Sequence, residues 1–103
     1  MVEFSTIECK EYTVVHFKLD EPINPEDLAK LNPPKVNCTK GIIISGRGPI
    51  WLYCYLVHYY HMTKFVATYD PRFGGAVVVE SHIPSFKPGD IIEIGETESM
   101  DLI

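Results

Sequence analysis

Apolar and polar positions alternate near the start of the chain and crowd together in its middle. Val2 to Cys9 and Tyr12 to Leu19 are two runs rich in β-formers, parted by Lys10-Glu11, and they predict a β-hairpin. In the second run Val14, His16 and Lys18 share one face, and Val15 and Phe17 the other. Asn24-Pro25-Glu26-Asp27 combines a good N-cap, a proline suited to the first helical position and acids for the first turn. It predicts a short helix through about Leu31, stopped by Asn32-Pro33-Pro34. Gly41-Ile42-Ile43-Ile44 is a continuous apolar run, the pattern of a strand covered on both faces. After Ser45-Gly46-Arg47-Gly48-Pro49, an apolar segment from Ile50 to about Met62 predicts a helix. Lys64 to Tyr69 is again β-rich, and Asp70 to Gly75 is a turn. Ala76 to Glu80 and Asp90 to Ile94 are the last predicted strands, and the acidic tail after Gly95 is expected to fray.

These elements predict a single small α/β domain over residues 1–103. Its sheet is expected to be mixed, with an N-terminal β-hairpin and a central strand–helix–strand unit, distantly Rossmann-like. The length suits one domain with a modest core, and 46% hydrophobic with 22% charged residues is an ordinary globular balance.

A net charge of -5 argues against a protein that coats DNA or long RNA through a broad basic surface. It leaves a small phosphate-bearing ligand open, since a few arginines and helix N-termini can hold phosphates on an acidic protein. Cys9, Cys38 and Cys54 form no CxxC pair, so no cysteine zinc site is expected. No apolar run is long enough to span a membrane, and a reduced, cytoplasmic protein is expected.

Candidate chemistry gathers between Ser45 and His82. The glycines of Ser45-Gly46-Arg47-Gly48-Pro49 let backbone approach a ligand, and Arg47 adds a bidentate phosphate donor ahead of a helix N-terminus. The other reading of this segment is a tight turn with a solvated arginine. His58 and His61, spaced i, i+3 on the predicted helix, suit a metal, shared acid–base work, or simply a favourable charge near a helix end. Asp70-Pro71-Arg72 places a carboxylate and a guanidinium at a strand end, either as a surface ion pair or as a phosphate site. His82 follows the next strand. Trp51, Tyr53, Tyr55, Tyr59 and Tyr60 encircle the helix, too many rings for so small a core, so an aromatic surface at a homo-oligomer interface is expected.

The run from Gly46 to His82, GRGPIWLYCYLVHYYHMTKFVATYDPRFGGAVVVESH, resembles the signature of the small stand-alone CRISPR-associated ring nuclease family of type III systems, first described as an RNA deadenylase. The hairpin and short helix fit the family's length and order. Two positions depart mildly from the pattern: Phe73 stands where a leucine is expected, and Ile83 follows His82. The resemblance implies a distant relation to CRISPR-associated nucleotide-sensing domains. It implies a manganese-dependent homodimer that cleaves cyclic tetra-adenylate, sandwiched in a head-to-tail tetramer, because the two halves of the active site lie on opposite faces. By position it makes His61, Asp70 and Arg72 the catalytic face, with His82 on the opposed face. Ser45, Gly46 and Arg47, together with His82, would bind phosphate, and Asp70, His61 and His58 are the candidate metal ligands. Two alternatives stay open: a non-catalytic cyclic-nucleotide sensor or sponge, and a 3′ exoribonuclease acting on short oligoadenylate RNA. No membrane or DNA partner is expected.

Overall fold

The computed structural model describes residues 2–94; the expected fraying after Gly95 lies outside them. The elements are β1 (Val2–Glu8), β2 (Tyr12–Leu19), a 3-10 turn (Pro25–Lys30), β3 (Gly41–Ser45), α1 (Ile50–Tyr59), β4 (Phe65–Asp70), a 3-10 turn (Pro71–Phe73), β5 (Gly75–Ser81) and β6 (Ile91–Glu93). They form a small single-domain α/β fold with one six-stranded mixed sheet, its strands in chain order. β2, β3 and β4 run parallel, while β1, β5 and β6 pair antiparallel to their neighbours. The Rossmann likeness is confined to the β3–α1–β4 unit.

The apolar pattern explains which faces are covered. Every residue of β3 is buried, as its uninterrupted run requires. On one face, Val15, Phe17, Ile42, Ile44 and Val66 pack under Leu52, Leu56 and Tyr60 of the helical segment. On the other, Val14, Ile43, Ala67, Ala76, Val78 and Ile94 form a second cluster, partly covered by Phe86 from the β5–β6 loop. The alternation predicted for β2 therefore divides its side chains between two cores, except that His16 and Lys18 carry the second face out to the strand's polar end.

The short helix expected after Asn24 is present as a 3-10 helix over Pro25–Lys30 with Leu31 at its C-cap, and the Asn24 N–H donates to Asp27 Oδ2 at 2.8 Å. One element ends earlier than the apolar pattern suggests. α1 ends at Tyr59 rather than near Met62. There Thr63 Oγ1 donates toward the carbonyls of Tyr60 and Phe65, at 2.8 and 3.0 Å, and steers the chain into β4. Among the described residues no helix is long and apolar enough to cross a membrane.

Candidate functional site

The predicted site residues occupy two opposite ends of the parallel strands. At the carboxyl end lie the loop after β3 and the turn after β4. Ile44 pairs with Thr68, and two residues further along this register brings Gly46 level with Asp70. Gly46 has φ 145°, and a Cβ there would fall 2.4 Å from the Phe17 carbonyl oxygen, so only glycine fits. Arg47 is exposed. Ser45 is fully buried beneath the loop, with its Oγ 3.2 Å from His16 Nδ1. The Ser45 hydroxyl thus braces the loop from below instead of presenting itself on the loop surface.

Asp70 and Arg72 form one unit. Asp70 Oδ1 accepts from the Arg72 backbone N–H (2.9 Å) and Nε (3.1 Å), and Oδ2 accepts from Nε (3.2 Å) and Nη2 (2.8 Å). Gly74, at φ 63°, closes the turn. The side-chain bonds from Arg72 hold the Asp70 carboxyl below its ordinary value of 3.8. The Arg72 side chain is 79% exposed. Its Nη1 group and second Nη2 hydrogen are not used by Asp70 and can meet an anion.

The second group lies at the other end of β4. The His58 and His61 rings stack with centroids 5.5 Å apart. His61 Nδ1 lies 2.8 Å from the His58 carbonyl oxygen, so this nitrogen carries the proton and Nε2 keeps its lone pair in the neutral ring. His82 Nε2 donates to two acceptors, the His61 carbonyl and Glu80 Oε2, each at 2.8 Å. A groove of about 650 Å³ opens beside these histidines, lined in part by Tyr55, Tyr59, Lys35 and Cys38.

The grouping expected from sequence is therefore not assembled within one chain. His61 sits beside His82 rather than with Asp70 and Arg72. Five residue steps of β4 separate the two ends, about 16 Å at strand geometry. Among the described residues no three His, Cys, Asp or Glu side chains converge to hold a metal. His58, His61 and Asp70 of one chain do not fit a manganese ion together.

Of the aromatic set, Tyr60 is buried and donates to the Pro34 carbonyl at 2.7 Å, while Tyr59 is exposed and the others are half-buried. Three residues to which the sequence reading gave no place at the site contact the candidates directly: His16 at Ser45, Tyr53 at Gly46, and Glu80 at His82. The His16 contact follows from strand register, since His16 pairs with Ser45 across β2 and β3. That register was not readable before the pairing was known.

The fold and its two polar ends define a class: a small α/β domain with a glycine-arginine loop at the carboxyl end of a central parallel strand. The chain belongs to the family described as CRISPR-associated protein (Cas_csx3), which matches residues 16–93 and so spans every candidate above. It is similar to an uncharacterized protein of Aquifex aeolicus (strain VF5), 52% identical over 85 residues, covering 79% of this chain and 77% of the relative. Its function is accordingly CRISPR-related.

Proposed function

We propose that the protein is a ring nuclease, a phosphodiesterase that opens cyclic tetra-adenylate and so switches off type III CRISPR antiviral signalling. One observation carries this reading. In a chain of this family, an exposed Arg47 on a glycine loop lies at the same strand ends as the Asp70–Arg72 pair.

The chemistry asks for cationic donors and for a group that moves a proton. Arg47 and the unused hydrogens of Arg72 bind the non-bridging oxygens of a phosphodiester and stabilise charge that grows on them. Asp70 orients the Arg72 guanidinium. The attacking oxygen, from the adjacent 2′-hydroxyl or from water, forms a new bond to phosphorus as the bond to the 5′ oxygen breaks. His61 Nε2, with the ring's tautomer set through Nδ1, takes the proton of the attacking oxygen or, when protonated, gives one to the departing 5′ oxygen. His82, itself held by Glu80, steadies the His61 backbone. Because His61 and Asp70 stand at opposite ends of one chain, this reading requires a second copy, stacked head to tail, to bring the two ends to one ring. A homodimer offers two copies of each loop to a ring with repeated phosphates. Manganese dependence belongs to this proposal, but the described residues of one chain bring no ligand set together for the ion, so the steps above rest on the side chains alone.

The test is incubation of purified protein with cyclic tetra-adenylate, with manganese or with chelator, beside Asp70→Ala and His61→Ala. We expect linear products from wild type and a loss of at least about 100-fold in each variant, the scale of a lost acid–base or charge-stabilising group. Tight binding with no turnover in any metal would overturn the nuclease reading in favour of a sensor. Cleavage of linear oligoadenylate alone would make it an exoribonuclease instead.

A further inference from the structure

The glycine-arginine loop is held by a side chain from the helix that follows it. Tyr53 Oη donates to the Gly46 carbonyl at 2.6 Å. The Tyr53 ring meets Phe17 edge-on with centroids 5.3 Å apart, and Phe17 in turn fills the space beneath Gly46. Burial pushes the Tyr53 hydroxyl up to about 12, so it stays protonated and remains a donor at physiological pH.

The consequence follows from peptide geometry. In a trans peptide the carbonyl and the next N–H point in opposite directions. Holding the Gly46 oxygen toward the Tyr53 hydroxyl turns the Arg47 N–H away from it, at a residue that is exposed. Among the described residues no acceptor takes that N–H. From the other side of the sheet, the His16–Ser45 contact holds the residue that enters the loop. The positive φ of Gly46 lets the chain pass close over Phe17, and the Tyr53 hydroxyl bonds the carbonyl that follows.

We propose that Tyr53 is a positioning residue: it orients the Gly46–Arg47 peptide so that the Arg47 backbone N–H, beside the Arg47 guanidinium, becomes an anion donor for a phosphodiester. This deepens the nuclease reading and rests on it for the identity of the ligand. The donor itself needs only a phosphate group.

Two probes keep the two ideas apart. Inorganic phosphate and, separately, cyclic tetra-adenylate are titrated into wild type and Tyr53→Phe, while the Arg47 amide signal is followed by NMR. Losing one hydrogen bond to a charged group corresponds to roughly a tenfold change in affinity. We expect phosphate to move the Arg47 amide in wild type, and to do so in Tyr53→Phe only at about tenfold higher concentration. The melting temperature should stay near that of wild type, and the amide should already be displaced in the unliganded variant. An Arg47 amide that ignores phosphate in wild type, or responds equally in both proteins, would overturn the proposal. A phosphate response that depends on Tyr53, with no binding of cyclic tetra-adenylate, would support the positioning role and sink the ring-nuclease reading alone.

Discussion

Arg72 extends the range over which Asp70 stays ionised toward lower pH. The folded-state carboxyl titrates below 3.8 because it accepts several bonds from Arg72. A depressed carboxyl contributes its stabilisation above the unfolded value, and that contribution is lost as pH falls through the folded one. The pair lies at the surface, so the effect on overall stability is small. The effect on the site is direct. Arg72→Ala should return the Asp70 titration toward 3.8, followed by carboxyl carbon NMR; an unchanged titration would mean that Arg72 does not hold the carboxylate. Sequence alone leaves this Asp-Pro-Arg turn open between ion pair and phosphate site. The structure makes it an ion pair with guanidinium hydrogens to spare, so the two readings are compatible. The burial of Ser45 was not legible in the chain: the apolar run stops at Ile44, and the polar Ser45 reads as part of the phosphate loop, whereas β3 extends through it and its hydroxyl turns inward to His16.

Among the elements, α1 carries the burden of both ends. It buries Leu52 and Leu56 against β3 and its neighbours, places Tyr53 under the loop at its start, and leads into His61 just past its end. Leu56→Ala should cost about 2–5 kcal/mol in denaturant unfolding, the range for opening a cavity in a packed core. A cost under about 1 kcal/mol would show that α1 is not fastened to the sheet in this way. The helix was legible from Pro49 and the apolar run. Its end was not, because apolar residues continue to Met62. The Thr63 hydroxyl, just beyond that run, bonds the Tyr60 carbonyl and turns the chain toward β4.

For the whole molecule, the pattern made every strand visible, and the predicted strand–helix–strand unit implied more: a parallel crossover returns the chain to the opposite end of its sheet before the next strand begins. The grouping of His61 with Asp70 came from the resemblance and did not use that geometry. His58 and His61 belong to the end where β4 begins, and Asp70 to the end where it finishes. The proposed head-to-tail stack of two copies would lay one chain's Asp70 end against another's His61 end. The most direct measurement mixes two inactive variants. Asp70→Ala and His61→Ala are each assayed on cyclic tetra-adenylate alone, then together at equal amounts. If the site is shared between copies, the mixture regains a substantial fraction of wild-type cleavage, because some pairs hold both intact residues at one ring. A mixture as inactive as its components would contradict the account and return the catalytic groups to a single chain.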